Sequence, residues 1–102
     1  MGALERLREL VYAGRQVGKR ADLVRDGELI YQRIGVQRSG DDFVAYYFEI
    51  PAGLMAYEER AVELVRRFGA LENALAFLEG VSGSGVLDMK PVKGGKIFNL
   101  SD

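Results

Sequence analysis

The amino-acid sequence predicts an α+β fold: an antiparallel meander of three or more strands, with an N-terminal helix and two C-terminal helices packed on it. Three observations point there. An amphipathic stretch opens the chain. Two turn signals, Asp26-Gly27 and Ser39-Gly40-Asp41, divide a run of alternating apolar side chains. A spacing of three and four between apolar residues then fills positions 57–78. With 102 residues, the chain reads as one domain over 1–102, able to bury roughly 60–70% of its unfolded surface in a single core.

The first helix is expected over residues 3–13. Leu4, Leu7, Leu10 and Val11 recur at helical spacing, charged residues fill the gaps, and Gly14 stops it. Residues 16–25 read as a strand. Asp26-Gly27 then makes a two-residue turn, because both residues tolerate positive φ. That turn pairs Arg25 with Glu28, Leu23 with Ile30 and Ala21 with Gln32. The second strand is expected over 28–38. A three-residue turn at Ser39-Gly40-Asp41 would place Arg38 opposite Asp42, Val36 opposite Val44, Ile34 opposite Tyr46, Gln32 opposite Phe48 and Ile30 opposite Ile50. This register matches apolar with apolar repeatedly, and a slip of one residue would turn every side chain of the third strand over. Pro51 ends that strand.

The core face then holds Val17, Ala21, Leu23, Ile30, Ile34, Val36, Val44, Tyr46, Phe48 and Ile50. The reverse face holds Arg20, Asp22, Val24, Leu29, Tyr31, Arg33, Gly35, Phe43, Ala45, Tyr47 and Glu49. Gly35 leaves bare backbone there, open to close approach. Beyond Pro51, apolar residues Tyr57, Ala61, Leu64, Phe68, Leu71, Leu75 and Leu78 form a helical stripe that Gly69 interrupts. Two helices meeting at Gly69 are expected, with the stripe laid on the sheet. Residues 80–85 read as a flexible joint. Residues 81–102 form a tail, flexible or making short strands at 86–89 and 96–100.

Composition excludes much chemistry. The sequence has no cysteine and no histidine, so disulfides, thiolate metal sites and the commonest general base are absent. Hydroxyl side chains are few, and an enzyme is not expected. No cofactor and no metal site are expected either. No apolar run approaches the ~20 residues that span a bilayer, and the N-terminus lacks a signal-peptide pattern. A cytoplasmic protein is the expectation. Scarce amides with many Arg and Glu suggest a thermophile. The net charge of −1 hides an asymmetry: residues 1–40 carry +3, residues 41–80 carry −5 and residues 81–102 carry +1. A local basic patch is therefore available, although a globally basic surface is not.

The reverse face is the functional lead. Aromatic rings stack on nucleobases, while arginines neutralise phosphates and stack as well. Tyr31, Phe43 and Tyr47 would stack; Arg20 and Arg33 would hold phosphates, with Lys19 and Arg15 on a basic rim. The structural alternative is that helices or a dimer mate bury this face as a second core layer. Other constellations are weaker. Lys90, Lys93 and Lys96 with Gly94 and Gly95 make no phosphate loop, because Ile97 follows Lys96, and Ser82-Gly83-Ser84-Gly85 lacks the spacing. Glu59 with Glu63, and Asp41 with Asp42, fit a solvated helix face and a turn.

The order of these segments resembles the archaeal ThermoDBP-related single-stranded DNA-binding proteins. The likeness rests on an N-terminal helix (LERLRELVYAG), a meander with aromatic and basic side chains (ELIYQRIGVQRSGDDFVAYYFEIP) and a Leu-rich C-terminal half (ERAVELVRRFGALENALAFLEG). It implies single-stranded DNA held in a cleft with an aromatic floor and basic walls. The long C-terminal zipper of the larger members is missing. The expected function is thus single-stranded nucleic-acid binding, DNA or RNA, by a chain able to form a homodimer. The alternative is a small oligomeric scaffold or protein-interaction module whose second sheet face is the subunit interface.

Overall fold

A computed structural model of the chain describes residues 2–54, 61–92 and 96–98. It is an α+β fold built on one five-stranded sheet. In chain order the elements are α1 (Ala3–Tyr12), β1 (Val17–Arg25), β2 (Glu28–Ser39), β3 (Asp42–Pro51), a 3-10 turn (Ala52–Leu54), β4 (Val62–Phe68), α2 (Leu71–Ser82) and β5 (Lys90–Pro91). The strands lie in the order β4-β3-β2-β1-β5, and every pair is antiparallel. Both helices cover one face, here the helix face.

α1 forms where the apolar spacing requires it and buries Leu7 and Val11. Gly14, at φ +89°, terminates it. The β1–β2 hairpin has the register expected from its turn: Arg25 faces Glu28, Leu23 faces Ile30 and Ala21 faces Gln32. Asp26 and Gly27 adopt φ of +53° and +79°, the paired left-handed geometry of a two-residue hairpin loop.

The second hairpin differs from expectation by one residue. Gly40, at φ +63°, takes the first position of a two-residue loop, and Ser39 faces Asp42 directly. Glycine in that position favours the tight turn whose twist matches the strands. Ile34 therefore faces Tyr47 and Val36 faces Ala45. Because side chains alternate, the slip exchanges the faces of β3. Phe43, Ala45 and Tyr47 enter the core beneath the helices, while Val44, Tyr46, Phe48 and Ile50 turn to the reverse face.

The C-terminal half also departs from expectation, with one helix rather than two. Residues 62–68 form edge strand β4, paired so that Leu64 faces Tyr47 and Phe68 faces Phe43. The same residues satisfy a period of two: Val62, Leu64 and Phe68 share the helix face, and Glu63, Val65 and Arg67 the reverse face. Pairing fills the free edge of β3, a long-range gain that local spacing does not reveal. Gly69 does break the chain before α2. That helix buries Leu71, Ala74, Leu75 and Leu78, one stripe at i, i+3, i+4 and i+7. It runs through Gly80 and ends at Gly83, φ +70°, so residues 80–82 are helical rather than a joint. The strand expected at 86–89 is a turn; β5 follows it. Tyr57, Glu59 and Lys93 to Gly95 lie outside the described residues.

The core joins α1, α2 and the helix face of the sheet through Leu7, Val11, Val17, Ile34, Val36, Phe43, Tyr47, Leu71, Leu75 and Leu78. Burying each large side chain contributes about 1.5–3 kcal/mol. No helix among the described residues is long and apolar enough to cross a membrane.

Candidate nucleic-acid interface

The pairing registers arrange the reverse face in transverse rows. Arg20, Arg33, Phe48 and Glu63 form one row across β1, β2, β3 and β4. Asp22, Tyr31 and Ile50 form the row on one side of it. Gly18, Gly35, Tyr46 and Val65 form the row on the other.

The first two rows surround an open cleft of about 670 Å³, lined by Arg20, Asp22, Tyr31, Gln32, Arg33, Phe48, Ile50, Ala61 and Glu63. The Arg33 guanidinium carbon lies 5.9 Å from the Phe48 ring centroid. That cation–π contact tethers the arginine over the sheet and contributes about 0.5–1 kcal/mol at an exposed site. Arg20 stands directly opposite Arg33. Like charges so placed destabilise a strand pair, and neither makes an ion pair among the described residues. An anion between them would relieve that repulsion. Tyr31, 36% exposed, offers a ring beside this pair.

The third row is covered from Gly18 to Tyr46, while Val65 at its end stays open. Gly18 and Gly35 sit opposite each other and expose backbone to Ile97 and Phe98. A Cβ on Gly18 would lie 2.6 Å from the Ile97 side chain, and one on Gly35 would lie 3.1 Å from the Phe98 ring. The Phe98 ring stacks on Tyr46 with centroids 5.0 Å apart and planes 4° from parallel. Buried Gln16 fastens this segment. Its amide nitrogen donates to the Phe98 carbonyl (2.8 Å) and to Gln37 Oε1 (3.0 Å), and its Oε1 accepts from the Ile97 N–H (2.8 Å). The expectation of close approach at Gly35 is met by the chain's own tail. At the cleft's far end the Tyr46 hydroxyl donates to Glu63 (2.8 Å). Burial, aided by that carboxylate, pushes the Tyr46 hydroxyl up to about 12.

Of the residues expected to bind, Arg20, Tyr31 and Arg33 converge on the cleft. Phe43 and Tyr47 do not, because the register of β3 carries them to the helix face. Phe43 packs edge-on against Tyr12, centroids 5.5 Å apart. Tyr47 is 2% exposed. Its hydroxyl accepts from Gln32 (2.9 Å) and donates to Glu49. Burial, helped by Glu49, raises Tyr47 to about 12. Burial pushes the Glu49 carboxyl up, but hydrogen bonds from Arg25 (2.8 Å) and Tyr47 outweigh it and hold it below the usual range. Lys19 also belongs to the helix face, where it pairs with Asp88 at 2.9 Å. Arg15 lies in the loop before β1, beside a groove between α1 and residues 87–91 that Arg6, Leu10 and Lys90 also line. It too is away from the cleft.

Phe48, Ile50 and the Tyr46–Phe98 stack were not expected on this face. Gly40-Asp41, read as a two-residue loop, was the signal that would have placed the three β3 residues. Among the described residues no group of three or more Asp and Glu is placed to hold a metal ion. Comparison with protein-family models, with curated proteins and with solved structures gives no match for this chain.

Proposed function

We propose that this protein binds single-stranded nucleic acid on the open part of its reverse sheet face. The observation that carries the reading is the cross-strand pair Arg20–Arg33, bracketed by Tyr31 and Phe48 in a cleft wide enough for a nucleotide. Two arginines without carboxylate partners among the described residues supply the charge that a phosphate needs. Tyr31 and Phe48 supply π-faces, and each stacked base is worth about 1–3 kcal/mol whatever its sequence. Asp22 and Glu63 flank the arginines and keep the footprint short. The likeness to the ThermoDBP-related proteins points to the same ligand class. Tyr46, under Phe98, takes no part in this contact.

Fluorescence anisotropy with labelled oligo-dT over a salt series tests the reading, with oligo-U as the RNA arm. Two phosphate contacts give a slope of log K against log salt of about −1.4, and Arg33→Ala brings it to about −0.7. Absence of binding at low salt, or binding with no salt slope, contradicts the proposal.

A further inference from the structure

We propose that the outer edge of β4 pairs with the same edge of a second copy of this chain. β4 ends the sheet on one side, and no described strand pairs with its outer edge. It is seven residues long and contains no proline. Two of its apolar side chains face solvent, Val62 at 40% and Val65 at 50% exposed. Edges of this kind usually carry charges, a bulge, a proline or a cover; here only the charges Glu63, Arg66 and Arg67 are present among the described residues.

The sequence of β4 is self-complementary. Let two copies run antiparallel about a two-fold axis through Val65. Glu63 of each copy then faces Arg67 of the other, Val65 faces Val65, Leu64 faces Arg66 along its aliphatic stem, and Val62 faces Phe68. Two ion pairs flank an apolar centre on the reverse face, and apolar pairs close both ends on the helix face. Such an interface is isologous, and every contact except Val65–Val65 on the axis occurs twice. A register shifted by two residues in one direction sets Arg66 against Arg66; shifted the other way, it sets Glu63 against Val65. Only the register centred on Val65 joins the opposite charges.

The pairing makes one ten-stranded sheet whose two reverse faces are continuous. Glu63 lines the cleft, so Arg67 of the second copy would arrive at its rim. Each cleft would thereby gain a positive charge from the other copy.

The test is sedimentation equilibrium over a concentration series without nucleic acid, so it stands apart from any failure of ligand binding. Wild type is expected as a concentration-dependent dimer. Glu63→Arg and Arg67→Glu should each weaken association by about tenfold or more, because each sets like charges opposite. Mixing these two variants restores both ion pairs and should recover dimerisation. Val65→Lys, at a half-exposed position, should give a folded monomer by circular dichroism. A wild type that is monomeric at every concentration overturns the proposal. So do single variants that dimerise like wild type, or a mixture of folded variants that stays monomeric.

Discussion

The two faces of the sheet carry similar side chains and have opposite fates. On the helix face Phe43 and Tyr47 are sealed beneath the helices, and hydrogen bonds join Gln32, Tyr47, Glu49 and Arg25 in one chain. On the reverse face Tyr31 and Phe48 lie beside two arginines that have none among the described residues. Adjacent Tyr46 and Tyr47 mark the divide, one under the tail and one in the core. Aromatic content alone therefore does not identify a binding surface. What separates the faces is whether the neighbouring charges are satisfied.

The largest expected effect on that comparison is a crossed pair of substitutions. Tyr47→Ala empties a core site and should cost about 3–5 kcal/mol of stability in urea unfolding. Tyr31→Ala should change stability by no more than about 0.5 kcal/mol yet weaken oligo-dT binding by about 1–3 kcal/mol. A Tyr31 variant that loses stability as Tyr47→Ala does while its binding is unchanged would break the comparison.

A smaller effect is expected where the tail crosses the glycines. A Cβ on Gly18 meets the Ile34 backbone carbonyl at 2.5 Å, which cannot rotate away, so Gly18→Ala should destabilise by about 1–3 kcal/mol. At Gly35 the nearest obstacle is the Phe98 ring, which can shift, and Gly35→Ala should be milder. A Gly35→Ala effect as large as that of Gly18→Ala in thermal denaturation would mean that the Phe98 ring cannot give way.

The smallest effect is in pH. Tyr46 and Tyr47 rise to about 12 in the folded chain, above the usual 10. Their contribution is therefore complete below pH 10 and lost as pH climbs through 12. Absorbance titration of tyrosinate should show late-ionising hydroxyls accompanied by unfolding. Tyr47→Phe and Tyr46→Phe should each remove one of them.

Much of this architecture was legible, and the failures have physical causes. Asp26-Gly27 admits one loop, so the β1–β2 register followed directly. Ser39-Gly40-Asp41 admits a loop of two or three residues, and residues 43–50 are apolar on both faces, so no polar face fixed the register. The slip removed Phe43 and Tyr47 from the site and left Arg20, Tyr31 and Arg33, which lie on strands whose register was secure. Residues 62–68 satisfy helical and strand periods alike, and only the free edge of β3, distant in sequence, decides between them. Phe98 reaches Tyr46 through Gln16, a contact spanning most of the chain that no local pattern encodes.

The central claim is that ligand meets the open reverse face and not the helix face. Backbone amide chemical shifts, followed by NMR as oligo-dT is added, test it most directly. The account expects perturbations clustered at Arg20, Tyr31, Arg33 and Phe48, with the amides of α1 and residues 87–91 unmoved. Perturbations confined to that helix-side groove, or none under low-salt conditions, would contradict it.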